Sequence, residues 1–162
     1  MIPVTPQSMH DVEELRYLIL ALQREGNRLL AADLRPLGLT PSQAEVLTVL
    51  AERQALTLAG LGELLICESG GSPSRLVDRL VKQGLVHRDE DSDDRRYVLL
   101  SLTAEGRAVA NRVSKIEERL HGKLAELAGE TSLGPVLRLL RRMAEHVPGG
   151  KALHKRMNGT ST

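Results

Sequence analysis

Apolar residues recur at three- and four-residue steps from the start of the chain. Val12, Leu15, Leu18, Ile19, Leu22, Leu29 and Leu30 predict an amphipathic helix over about 11–32. Thr40-Pro41-Ser42-Gln43 then predicts a helix start, with Thr40 as N-cap, Pro41 in the first helical position and Gln43 closing a capping box. Val46, Leu47 and Leu50 supply the buried stripe of that helix. Thr57 is the next cap, before a short helix carrying Leu58, Leu61, Leu64 and Leu65. Ser72-Pro73 repeats the cap-then-proline chemistry. Its helix runs to Lys82 or Gln83, and Gly84 stands where a left-handed residue ends it.

The period then changes. Residues 85–88 and 95–102 read as two strands around the turn-rich Asp89–Asp94. Thr103 opens a long helix in which Val109, Val113, Ile116, Leu120, Leu124 and Leu127 keep a near-heptad spacing, and Gly129 ends it. A last helix, about 133–147, carries Leu133, Val136, Leu137, Leu140, Met143 and Val147. Residues 1–10 and 148–162 read as flexible tails, the second opening on Pro148-Gly149-Gly150 with little apolar content. The expected architecture is mainly α with a small β-hairpin wing. A winged helix-turn-helix domain at 40–102 is flanked by N- and C-terminal dimerisation helices at 11–32 and 104–147. The winged unit closes a core by itself, so the flanking stripes need another surface. A two-fold dimer with interdigitated ends supplies it; an intramolecular three-helix bundle is the alternative.

Composition narrows the chemistry. The chain has two tyrosines, Tyr17 and Tyr97, and neither Phe nor Trp, so stacking single-stranded bases on aromatic platforms is disfavoured. One cysteine, Cys67, excludes an internal disulfide and any multi-cysteine metal cage. The histidines at 10, 87, 121, 146 and 154 share no ligand spacing, and neither metal nor cofactor is expected. Nor does the chain carry a paired-carboxylate, nucleophile–base or phosphate-loop pattern, and Gly60, Gly62, Gly70 and Gly71 do not fit a dinucleotide fingerprint. An enzyme is therefore not expected. No apolar run is long enough for a membrane span and no signal-peptide pattern opens the chain, so the expected location is the cytoplasm.

The 73–83 helix carries the candidate chemistry. Leu76, Val77, Leu80 and Val81 share one face, whereas Ser72, Arg75, Asp78, Arg79 and Lys82 share the other. Arginine suits guanine edges through its bidentate fork, and Ser72, Ser74 and Lys82 suit bases or phosphates. An ordinary solvated helix face is the alternative, which the capped helix before it and the hairpin after it disfavour. Charge alone does not reveal such a site. The net charge is +1, and basic residues (75, 79, 82, 88, 95, 96, 107) balance acidic ones (78, 89, 90, 91, 93, 94, 105) over 72–107.

A family resemblance covers about 39–107. Leu39-Thr40-Pro41-Ser42-Gln43-Ala44-Glu45-Val46-Leu47 resembles the opening of the DNA-binding domain in regulators of the MarR (multiple antibiotic resistance) family. So does Ser74-Arg75-Leu76-Val77-Asp78-Arg79-Leu80-Val81-Lys82-Gln83-Gly84-Leu85-Val86, followed by Arg88, Asp94-Arg95-Arg96 and Leu102-Thr103-Ala104-Glu105-Gly106-Arg107. The resemblance implies a homodimer on palindromic double-stranded DNA, usually a repressor relieved by a small-molecule effector or an oxidant. It also implies that Asp94 orients an arginine and that Arg95 or Arg96 enters the minor groove. The chain departs from the family at Glu68-Ser69-Gly70-Gly71-Ser72-Pro73, which is richer in Gly and Pro and implies a late start to the recognition helix.

The family's ligand cleft lies where the dimer helices meet the winged domain. Arg16, Tyr17 and Arg28 are the candidates to line it, with surface or interface packing as their other role. Cys67 reads first as a small buried side chain. A redox switch is its second reading, although the neighbouring Glu68 works against a thiolate. A winged helix serving only as a protein-interaction module is the alternative function.

Overall fold

The computed structural model describes residues 8–53, 55–66, 72–90 and 98–159. Helix α1 spans Met9–Leu34 and begins inside the expected N-terminal tail, because the Ser8 hydroxyl accepts the Asp11 amide at 3.1 Å and caps it. A tighter turn, Arg35–Leu37, leads into α2, Pro41–Glu52. The Gln43 amide donates to Thr40 Oγ1 at 3.3 Å, and the Thr40 amide to Gln43 Oε1 at 2.9 Å, closing the expected capping box. Strand β1, Leu56–Thr57, precedes the short α3, Leu58–Gly62, whose cap is Thr57 accepting the Gly60 amide at 3.0 Å.

Helix α4, Pro73–Lys82, starts at the expected proline, but Ser72 does not cap it through its side chain. Ser72 Oγ instead lies 2.8 Å from Ser74 Oγ. The helix ends in a Schellman motif: Gly84 takes φ 72°, the Leu85 amide reaches the Leu80 carbonyl at 2.9 Å, and the Gly84 amide reaches Val81 at 3.0 Å. Strands β2, Val86–Glu90, and β3, Val98–Leu102, pair antiparallel with Val86 opposite Leu102 and Arg88 opposite Leu100. The small strand β1 adds to the other edge of β3, giving the order β1-β3-β2. Two residues are too few to show alternation, which is why the sequence pattern does not reveal it.

Helix α5, Ala104–Ala128, is capped by Thr103, which accepts the Gly106 amide at 2.9 Å and donates to the Gly84 carbonyl at 2.7 Å. One hydroxyl thus joins the end of α4 to the start of α5. A Cβ at Gly106 would lie 1.9 Å from the Leu85 carbonyl oxygen, so only glycine permits this approach. The core lies between α2, α4, the sheet and the first half of α5. Val46, Leu47, Leu61, Val77, Leu80, Leu100 and Val113 are all buried there, with Leu34 of α1.

Helices α6, Gly134–Ala144, and α7, Pro148–Asn158, complete the described chain. The second corrects an expectation: residues 148–158 are not a tail. Pro148 occupies the first turn of α7, and Gly150 closes against α6, where a Cβ would lie 1.9 Å from the Ala144 carbonyl. The glycines that suggest a break therefore permit close packing. Lys155 and Arg156 of α7 make ion pairs with Glu63, Glu45 and Glu52, and such charged anchors leave no apolar period to detect.

The flanking helices do not close into a bundle within one chain. Val12, Leu18, Ile19 and Leu22 of α1 are exposed, as are Leu124 and Leu127 of α5 and Val136, Leu137 and Met143 of α6. No helix among the described residues is long and apolar enough to cross a membrane.

Candidate nucleic-acid interface

Helix α4 divides as its wheel predicts. Leu76, Val77 and Leu80 are buried in the core, while Ser72, Arg75, Arg79 and Lys82 are exposed and Ser74 is half-buried. No carboxylate among the described residues is ion-paired with Arg75, Arg79 or Lys82, and all three are exposed. Asp78, on the same polar face, is different. It accepts from Arg88 Nη2 of β2, tying α4 to the hairpin. That contact spans two elements, and the sequence shows its partners only as members of an evenly charged stretch.

The wing base carries a second pair on one strand, with His87 Nε2 2.9 Å from Asp89 Oδ1. Asp94, Arg95 and Arg96 lie outside the described residues, as does Cys67. The lead-in at 69–71 also lies outside the described residues, and the helix starts at Pro73.

The three candidates for an effector cleft do not come together. The Arg16 guanidinium lies 4.2 Å from the centre of the exposed Tyr17 ring. Arg28 stands about three helical turns further along α1. It donates to both oxygens of Glu25 at 2.6 and 2.8 Å in open solvent. The Glu25 carboxyl is accordingly lowered below its ordinary value by that hydrogen bond. A cleft of about 310 Å³ opens elsewhere, between the end of α2, the base of β3 and the start of α5. Leu50, Ala55, Leu102, Arg107 and Asn111 line it, and Arg107 Nη1 donates to the Leu102 carbonyl at 2.8 Å. Residues so separated in sequence carry no joint signal. Among the described residues no cluster of His, Cys, Asp or Glu is placed to hold a metal ion.

A family model described as a winged helix DNA-binding domain matches residues 39–106. The chain is 30% identical over 123 residues to the multiple antibiotic resistance protein MarR of Escherichia coli (strain K12), covering 75% of this chain and 85% of that protein. It belongs to the MarR family of transcriptional regulators. The organic hydroperoxide resistance transcriptional regulator of Bacillus subtilis (strain 168) is a second relative in this family. It is 32% identical over 117 residues, covering 72% of this chain and 78% of that one. Among solved structures, a mutant MarR from E. coli complexed with operator DNA superposes with a TM-score of 0.71 at 28% identity. That match covers 85% of this chain and 98% of the other. These MarR-family relatives are transcriptional regulators rather than enzymes, and the winged helix is their DNA-binding domain.

Proposed function

We propose that this MarR-family chain is a cytoplasmic homodimeric repressor that reads a palindromic operator with α4 and is released by a small-molecule effector. One observation carries the reading: α4 buries Leu76, Val77 and Leu80 while holding Arg75, Arg79 and Lys82 free of any described carboxylate. Such a helix offers bidentate donors to guanine edges and a cation to phosphate. Ser72 and Ser74 stand at its start, in reach of the backbone that a helix N-terminus faces. Arg95 or Arg96 is assigned to the minor groove and Asp94 to orienting it, on the strength of the family motif alone.

The dimer reading rests on the apolar residues that one chain leaves exposed on α1, α5 and α6. Joining two copies there about a two-fold axis sets two recognition helices about 34–36 Å apart, one turn of duplex DNA. The effector is assigned to the junction of those helices with the winged domain, with the Arg16–Tyr17 pair as its proposed contact and Arg28 set apart from it on Glu25.

The test is protection of a palindrome in the chain's own promoter region by purified protein. Arg79→Ala is expected to weaken binding to that duplex by about ten- to a hundredfold, with Arg75→Ala similar, since each bidentate contact contributes about 1–3 kcal/mol. Affinity is also expected to fall steeply with salt. Wild-type affinity in both variants would remove α4 from the interface.

A further inference from the structure

Helix α7 is pinned to the winged unit at both ends. In its first turn, a Cβ on Gly149 would lie 3.9 Å from Ile66 Cγ2, just past α3. In its last turn, Arg53 Nη2 donates to the carbonyls of Lys155 and Arg156 at 2.8 and 3.0 Å, where a helix leaves carbonyls short of partners. Arg53 Nε is buried with no hydrogen-bond partner among the described residues, a cost that the two Nη2 bonds must outweigh. A Cβ on Gly159 would run into the same guanidinium, so glycine leaves it room. Lys155 Nζ reaches Glu63 Oε2 at 2.6 Å, and Arg156 Nε reaches Glu52 Oε2 at 3.1 Å.

The same helix is joined closely to α6. Gly150 brings its backbone so near the Ala144 carbonyl that no Cβ fits between them. Helix α6 in turn leaves Val136, Leu137 and Met143 exposed for a second copy. The covalent route from the winged unit to α6 is less firm. It runs along α5, where no described residue beyond Ile116 is buried, past Gly122 and then through Gly129 at φ 58°. A glycine inside a helix has the freest backbone of any residue, and no atom lies within 4 Å of a Cβ position at Gly122 to brace it.

We infer that α7 is a brace that closes this route, holding α6 at a set place against the winged unit and so fixing the distance between the two recognition helices of the dimer. Arg53 is the positioning residue at its end. The inference rests on the reading of the chain as a dimer that joins through α6 and meets DNA through α4. Two half-sites reinforce one another only when the span between the reading units matches the span between the sites. One base pair added at the centre of a palindrome moves a half-site by about 3.4 Å and turns it by about 35°. A braced dimer cannot follow that change, whereas a dimer pivoting at Gly122 and Gly129 follows much of it.

Full-length wild type, Arg53→Ala, Gly159→Ala, Gly150→Ala and Arg79→Ala are titrated with the protected promoter palindrome and with the same duplex lengthened by one central base pair. Hydrogen exchange of the α7 amides is read alongside. Wild type is expected to bind the lengthened duplex about thirtyfold more weakly than the parent, and the three brace variants only about fivefold more weakly, with faster exchange in α7. Gly159→Ala displaces only the end of a flexible side chain, so it reports even where a harsher variant fails to fold. A wild-type ratio in a variant whose α7 has loosened overturns the inference, because a helix that merely adds stability does not change spacing preference. So does α7 exchange at the wild-type rate in Arg53→Ala and Gly159→Ala. Wild-type affinity for the parent duplex in Arg79→Ala instead removes the reading on which the inference stands.

Discussion

The winged unit and the flanking helices use the same aliphatic residues in opposite ways. Between α2 and the start of α5, leucines and valines are buried within one chain, with Leu47, Leu61, Leu80 and Leu100 almost wholly out of water. On α1, the far half of α5 and α6, comparable side chains stay exposed, Leu127 at 81%. Hydrophobic stabilisation scales with apolar area removed from water. The first region is therefore self-sufficient, and the second depends on what it meets. Stability of the winged unit should be independent of protein concentration, while that of the flanks should not.

The strongest way to break this contrast is to hollow the winged core. Leu47→Ala is expected to cost about 3 kcal/mol, read as a lowered urea midpoint at every protein concentration. A midpoint that recovers at high concentration would mean the unit borrows stability from a partner. Next in size is Leu137→Glu on the open face of α6. It is expected to give monomers at micromolar concentration by sedimentation, with the far-ultraviolet signal of the winged unit kept. A dimer that survives would place the contact elsewhere.

Smaller changes sharpen the comparison. Thr103→Ala removes both the α5 cap and the bond to the Gly84 carbonyl, an expected loss of about 1–2 kcal/mol in denaturant titration. No loss would show that the joint between α4 and α5 is held by Gly106 packing alone. The smallest effect concerns Glu117, whose carboxyl is raised above its ordinary value by burial, against the pull of Arg156 and His121. A carboxyl raised in the folded state costs stability where it is ionised, and the cost vanishes below the unfolded value near 4.5. Glu117→Gln should therefore raise Tm slightly at pH 7. The gain should shrink as pH falls through the raised folded value towards 4.5, and an equal gain at both ends of that range would refute it.

Local chemistry made much of the fold readable. Thr40 and Thr57 each cap the helix they are expected to cap, the helix expected to open at Thr103 does so, and Gly84 takes the left-handed conformation its position requires. The two faces of α4 follow from spacing alone, because a helix repeats every 3.6 residues whatever it packs against. What escaped was some local detail and contact between distant segments. Ser72 looks like a cap but its hydroxyl faces Ser74, and Pro148-Gly149-Gly150 looks like a break but opens α7. Arg88 and Asp78 are ten positions apart on different elements, and Glu45 and Arg156 are 111 positions apart.

The sequence by itself therefore determined most of the elements, the threonine caps, the polar face of α4 and the family. Each depends on neighbours within a few residues or on a motif in continuous order. Only the tertiary structure decided which charges are free and which are engaged. Among the described residues no carboxylate engages Arg79, while Arg88 is held by Asp78, and Arg156 draws Glu45 and Glu52 to α7. Coulomb attraction and desolvation depend on distance through space rather than along the chain, so no local pattern records them.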